Sequence, residues 1–185
     1  MICEATMEWA HPAATEDEAI RFRKGDPDAL ASLMTRYQHR LYRYLIRLVR
    51  EEDAAADLFQ QTWLRVMQNA RRYDPRRSLE AWLFSVAHNL AIDHLRRKRP
   101  EELDEGMPRG GPDAFDQTLA EERATLLAAR LAELPAVYRE VVTLRFEEEL
   151  KLEEIAEATG APLSTVKSRL RRALEQLRSK LEPNL

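Results

Sequence analysis

The stretch from Pro100 to Thr118 limits what this chain can fold into more than any other. It holds Pro100, Pro108, Pro112, Gly106, Gly110 and Gly111, and its six acids (Glu101, Glu102, Asp104, Glu105, Asp113, Asp116) stand against a lone Arg109. Such a segment cannot bury enough apolar surface to offset the entropy of ordering its backbone. It predicts a flexible acidic linker over residues 100–118, which divides the 185 residues into two small domains. Residues 1–14, mixed in character and containing Pro12, predict a disordered leader. Residues 15–99 and 119–185 remain as the two folding units.

Outside the linker, glycine falls only at Gly25 and Gly160. Ala, Leu, Arg and Glu dominate, all good helix formers, so the expected class is all-α. A first helix runs from about Thr15 to Lys24 and stops at Gly25. Asp26-Pro27 is an N-cap followed by a first-turn proline, opening a helix to about Arg50. Its Leu30, Leu33, Met34, Tyr37, Leu41, Tyr44, Leu45 and Leu48 recur at three- and four-residue spacing, which marks one buried face. Asp53 opens a third helix to about Asn69, with Ala56, Phe59, Trp63, Val66 and Met67 inward. After a loop at 71–78, a fourth runs from Leu79 to about Arg99, burying Trp82, Leu83, Val86, Leu90 and Ile92. Beyond the linker, one helix ends at Leu134. Pro135 starts the next, which carries Val137, Val141, Val142, Leu144 and Phe146. A short helix with Leu152, Ile155 and Ala156 closes at Gly160. The last helix has Val166, Leu170, Ala173, Leu174, Leu177 and Leu181 inward.

Charge and chemistry narrow the function. The net charge is −3, so any nucleic-acid affinity must come from local patches. Cys3 is the single cysteine, which excludes an intrachain disulfide and a Cys-rich zinc site. His88 and His94, six residues apart on a helix, do not share a face, so no metal site and no cofactor are expected. No signal peptide or membrane span is legible, and a cytoplasmic protein without membrane insertion is expected. Asp53 and Asp57 lie one helical turn apart, but no third acid or histidine joins them, so no catalytic residues are assigned and the chain is not expected to be an enzyme. The run Glu147-Glu148-Glu149 is expected to be a helix end facing solvent.

Two basic sites carry the functional signal. LKLEEIAEATGAPLSTVKSRLRRALEQLR, residues 150–178, has the outline of a helix-turn-helix, which places its second helix in the DNA major groove. Removing the apolar stripe leaves Ser164, Thr165, Lys167, Ser168, Arg169, Arg171 and Arg172 outward. Arg and Lys suit guanine N7 and O6, while Ser and Thr bond several bases or a phosphate. The second site spans 71–99, with Arg71, Arg72, Arg76, Arg77, Arg96, Arg97, Lys98 and Arg99, plus Tyr73 in the loop and Asn69 and Asn89 nearby. Cations with an aromatic and amides suit a single strand whose bases are unstacked. Two basic sites on one tether point to two DNA contacts a set distance apart.

On these residues the chain resembles the extracytoplasmic-function (ECF) sigma factors of the sigma-70 family. GDPDALASLMTRYQHRLYRYL, DAAADLFQQTWLRVMQNA, RYDPRRSLEAWLFSVAHNLAIDHLRRKR, LPAVYREVVTLRF and LEEIAEATGAPLSTVKSRLRRALEQLR are similar, in order, to that family's regions 2.1, 2.2, 2.3–2.4, 4.1 and 4.2. The resemblance implies a region 2 helical bundle and a region 4 helix-turn-helix. It implies binding to core RNA polymerase, promoter recognition and assistance in melting. Asn69, Tyr73 and Asn89, with Arg76, Arg77, Arg96 and Arg97, would meet the non-template strand of the −10 element. Ser164, Thr165, Lys167, Ser168, Arg171 and Arg172 would meet the −35 element. Asp57, Gln60, Gln61 and Leu64 would dock on the polymerase clamp helices, and an apolar face of Leu131, Leu134, Val137 and Val141 on the flap. An anti-sigma factor is an expected partner. Members often have Gly-Thr-Val where this chain has Ser164-Thr165-Val166, with serine a possible cap, and a glycine where it has Glu149. A stand-alone helix-turn-helix regulator is the alternative, and it leaves residues 53–99 without a role. An enzyme addressed to DNA lacks a catalytic constellation.

Overall fold

The computed structural model describes residues 14–103 and 119–181, and among these there are helices and turns but no strand. Most of the leader, the linker from residue 104 onward and residues 182–185 lie outside the described residues.

Local chemistry sets the helix ends. Thr15 caps α1 (Glu16–Arg23), its Oγ1 accepting from the Glu18 N–H at 3.2 Å. Three acids occupy the first turn of α1 and Arg21 and Arg23 the last, matching the helix dipole. Gly25 takes φ 84°, the left-handed turn that glycine adopts without Cβ strain. Asp26 caps α2 (Pro27–Val49), accepting from Asp28 N–H at 2.9 Å. The third helix, α3 (Glu52–Asn69), starts after Glu51 without a side-chain cap, so Asp53 lies inside the first turn. Ser78 caps α4 (Leu79–Lys98) through the Ala81 N–H at 3.2 Å. Pro100–Leu103 forms a 3-10 turn whose Leu103 packs on the core, so the segment expected to be linker begins with ordered residues.

Four more helices follow: α5 (Leu119–Ala132), α6 (Ala136–Val142), α7 (Leu152–Thr159) and α8 (Leu163–Leu181). A π-helical segment, Thr143–Glu147, continues α6. The chain then turns through Glu149 at φ 57°, the position where the family often has glycine. Most apolar stripes fall inward as expected, but Met34, Met67, Phe146 and Leu174 are 36–58% exposed.

The two halves pack closely, α4 running along α7 and α2 meeting α6. One apolar cluster joins Leu41, Leu45 and Ala87 of the first half to Val141, Leu144, Ile155 and Val166 of the second. Buried polar groups fix the register. Arg40 Nε donates to Glu148 Oε2 at 2.8 Å, its second nitrogen to the Glu148 carbonyl at 2.8 Å, and a third to Glu80 at 2.8 Å. The Glu148 side chain is wholly buried, which corrects the expectation of a solvent-facing glutamate run. Burial pushes the Glu148 carboxyl above its ordinary value while Arg40 and Arg43 pull the other way. Burial pulls Arg40 down, but Glu148 and Glu80 hold it above its ordinary value. The direct guanidinium–carboxylate contacts favour the ionised form of both.

Glu140 accepts from the Tyr44 hydroxyl at 2.5 Å and meets His88 Nδ1 at 2.6 Å. Arg139 donates to the carbonyls of Ala132, Leu134 and Leu48 at 3.1, 2.7 and 2.9 Å, satisfying helix ends that have no other partner for those lone pairs within their own helix.

Two predictions follow from this interface. Burial pulls the His88 pKa down, Glu140 pushes it up more strongly, and the net value lies above 6.5; Arg169 opposes and Asp93 adds to the rise. A raised folded pKa contributes stability that is full below about pH 6.5 and fades as pH climbs through the raised value. Chemical denaturation between about pH 6 and pH 8 should show stability falling more in the wild type than in His88→Gln. Equal pH slopes would contradict the charged pair. Glu149→Gly should raise stability by roughly 0.5–1 kcal/mol, since glycine bears no Cβ penalty at this φ. A lowered thermal midpoint would count against it.

Candidate nucleic-acid and polymerase interface

The expected −35 residues lie on α8. Because α8 already starts at Leu163, Ser164 sits in its first turn and does not cap it. Ser164, Lys167, Arg171 and Arg172 are exposed, while Thr165 and Ser168 are half-buried. The Ser168 hydroxyl donates to the Thr165 carbonyl at 2.9 Å, which leaves its lone pairs outward as acceptors. Arg171 reaches Glu175 one turn on at 2.9 Å, with both side chains at least 60% exposed. Such a pair is weak and exchanges readily for a base or phosphate. The Gly160 turn at φ 66° sets α7 behind α8, so the basic face is presented on a scaffold helix.

The expected −10 residues divide into two environments. Asn89 is exposed on α4, and Asn69 ends α3 with its amide donating to the Arg65 carbonyl at 2.9 Å. Arg76 is 91% exposed and meets Asp74 at 3.3 Å, while Arg96 meets Asp93 at 3.6 Å and Arg97 is exposed. Arg77 reaches across to Glu157 of α7 at 2.7 Å. Tyr73 differs from all of these. It is 2% exposed, with its ring 5.2 Å from Trp82 and 6.2 Å from Phe22, and its hydroxyl donates to the Arg77 carbonyl at 2.7 Å. Burial pushes its phenol up to about 12. The aromatic expected to stack on a base is a core residue in this arrangement.

The expected polymerase face is a clean stripe. Asp57, Gln60, Gln61 and Leu64 follow the helical repeat along α3 and are all exposed, Leu64 by 53%. Met67 extends the stripe one turn further at 42% exposure, although its spacing had suggested the core. The signal was available: Leu64 and Met67 are three apart, so they share a face. By contrast, the apolar face expected for the flap is interior. Leu131, Leu134 and Val137 pack with Tyr138, Val142, Ala173 and Leu177, and Val141 belongs to the shared core. Among the described residues of the second half, Leu127, Phe146 and Leu174 are the large apolar side chains that remain exposed.

The comparisons decide the family. Sigma-70 region 2 matches residues 33–101, and Sigma-70, region 4 matches residues 124–177. The chain is 33% identical over 172 residues to the ECF RNA polymerase sigma factor SigW of Bacillus subtilis, covering 86% of this chain and 92% of that protein. It belongs to the ECF sigma factors. The ECF RNA polymerase sigma factor RpoE of Cereibacter sphaeroides is 34% identical over 164 residues, with 86% and 90% coverage. The solved structure of CnrH, in complex with the cytosolic domain of CnrY, superposes with a TM-score of 0.70 at 23% identity, covering 92% of this chain and 98% of that one. The sigma factor RpoE of Bartonella quintana, crystallised with the anti-sigma factor NepR, gives 0.65 at 23%, covering 82% and 96%. These two likenesses concern the fold. Membership makes this ECF sigma factor a promoter-directing subunit of RNA polymerase. No helix among its described residues is long and apolar enough to cross a membrane.

The split between Tyr73 and Asn89 can be measured. Tyr73→Ala should lower folding stability by about 3–4 kcal/mol, as for other buried aromatics. Asn89→Ala, on an exposed helical face, should change it by less than about 0.5 kcal/mol. Urea titration of both variants checks this, and a Tyr73 variant as stable as the wild type would place the ring outside the core.

Proposed function

We propose that this ECF sigma factor works as two DNA-reading units, residues 15–99 and 119–185, joined through the acidic linker. The first unit takes the −10 element through Asn69, Asn89, Arg76, Arg77, Arg96 and Arg97, with Tyr73 supporting their loop from the core, and holds the melted non-template strand. The second reads the −35 element with Ser164, Thr165, Lys167, Ser168, Arg171 and Arg172. Asp57, Gln60, Gln61 and Leu64 dock on the clamp helices, and the second unit reaches the flap. The observation that carries this is the joint exposure of the α3 stripe and the α8 basic face on a chain whose two halves match regions 2 and 4. An anti-sigma factor regulates it in the cytoplasm. Support for that partner is analogy to the fold neighbour crystallised with NepR.

The packed arrangement constrains this function. Elements centred near −10 and −35 are roughly 25 base pairs apart, about 85 Å of duplex at ~3.4 Å per pair. Helices in contact lie only about 8–10 Å apart, and α4 touches α7, the helix beside α8. Both elements are reached only after the halves part. The Arg40–Glu148 and Glu140–His88 contacts are the ones that break.

Three measurements test the reading. The purified chain mixed with bacterial core polymerase should co-purify with it and yield specific transcripts from a promoter library, and Leu64→Glu should abolish both without changing the far-ultraviolet spectrum. Failure of the wild type to bind core would refute the proposal. Arg171→Ala should weaken promoter binding by about 1–3 kcal/mol and relax choice at one −35 position. Uniform weakening on all sequences would make Arg171 a phosphate contact. Finally, Arg43 and Glu147, which meet at 3.9 Å across the halves, can be replaced by cysteines in a Cys3→Ser chain and joined with a cleavable bis-maleimide. The joined protein should lose two-element promoter binding and regain it on cleavage. Full binding while joined would show that the halves need not part.

A further inference from the structure

Between the end of α1 and the loop after α3 lies an open cleft of about 410 Å³, lined by Ile20, Arg23, Lys24, Arg71 and Pro75. Three of its five lining residues are cationic and none is acidic. Arg23, Lys24, Arg71 and the neighbouring Arg72 are exposed, and among the described residues none of the four side chains makes a hydrogen bond or an ion pair. Arg21, Arg36, Arg40, Arg43, Arg47 and Arg77, by contrast, all hold carboxylates. Asp74, the acid nearest in effect, is engaged by the Arg76 backbone N–H and side chain and feels Arg23 only as a field.

Three unneutralised cations around a concave surface repel one another, and an anion relieves them. The cleft is too open to enclose a small metabolite and is continuous with the loop carrying Tyr73 and Arg76. Its walls offer two apolar surfaces, Ile20 and Pro75, beside the charges. A sugar–phosphate unit presents the complementary pairing of anion and apolar ring edge, and a single strand can bend into a cleft that duplex DNA cannot enter.

We propose that this cleft binds the backbone of the opened non-template strand next to the −10 loop, with Arg23, Lys24 and Arg71 on phosphates and the sugar against Ile20 and Pro75. The inference rests on the −10 role of the first unit. It gives α1 a function. Arg23 and Lys24 precede residue 33, where the match to region 2 begins, and neither was among the residues expected to meet DNA.

The test uses the full chain assembled with core polymerase on a promoter that the wild-type holoenzyme opens. Each phosphate contact to a single strand contributes about 0.7 to the slope of log affinity against log salt. Arg23→Ala with Lys24→Ala should flatten the open-complex slope by about 1.4. Between 50 and 200 mM salt, the wild type then loses about sevenfold more affinity than the double variant. Arg23→Lys with Lys24→Arg should keep the wild-type slope. Both side chains are exposed, so an unchanged thermal midpoint accompanies either result. An unchanged slope in the alanine variant, while the wild type opens the promoter normally, overturns the cleft and leaves the −10 role standing. An equal flattening on a fully duplex fragment also overturns it, because the contact would not be with the opened strand. A wild-type holoenzyme that binds core but never opens DNA overturns the −10 role and this inference together.

Discussion

The contact on which the arrangement of this molecule depends is the buried pair between Arg40 and Glu148. The two residues are 108 positions apart, and the Arg40 guanidinium spends its donors on a carboxylate, a backbone carbonyl and a second carboxylate. Such geometry is demanding: a guanidinium presents a rigid planar fork, so it fixes direction as well as distance. Apolar packing between the halves would tolerate sliding by a fraction of a turn. The fork does not. It holds α2 against the turn after the π segment, and with Glu140 between Tyr44 and His88 it sets which face of the second half meets the first.

A two-unit promoter factor with a shared core has two demands to satisfy. Packing the halves together gives Leu45, Ala87, Ile155 and Val166 a common interior. In the two-element reading proposed above, the same residues part on DNA. The closed arrangement already leaves the α3 stripe and much of the α8 face accessible, so in that reading only engagement of both elements requires opening.

Most of the fold was legible because helix periodicity and caps are local. Asp26-Pro27 and Gly160 appear in the chain as the signals they turn out to be. The α8 face followed from the same spacing rule, whereas the α3 face came from the resemblance to the family. What was not legible depended on distant partners. Glu148 looked like one of three solvated acids, and nothing within reach of its own helix reveals Arg40. Leu131, Leu134 and Val137 looked like an exposed apolar face because the residues that cover them, Ala173 and Leu177, lie on another helix. Tyr73 sits in a loop among arginines, a setting that suggests solvent, yet Phe22 of α1 and Trp82 of α4 close over it. Met67 erred in the opposite direction, an apolar residue at a nearly inward angle that the bundle does not cover.

Arg139 shows what kind of boundary joins the halves. Its guanidinium completes the carbonyl ends of α5 and α2 at once, and nearly every other polar contact across the boundary is likewise between groups that water can satisfy. When the halves separate, the Leu48 carbonyl, the Glu140 carboxylate and the Glu148 carboxylate all gain hydration in exchange for what they release. The polar contacts of this seam fix its geometry while the apolar cluster beside them supplies the burial, so its specificity and its strength come from different groups.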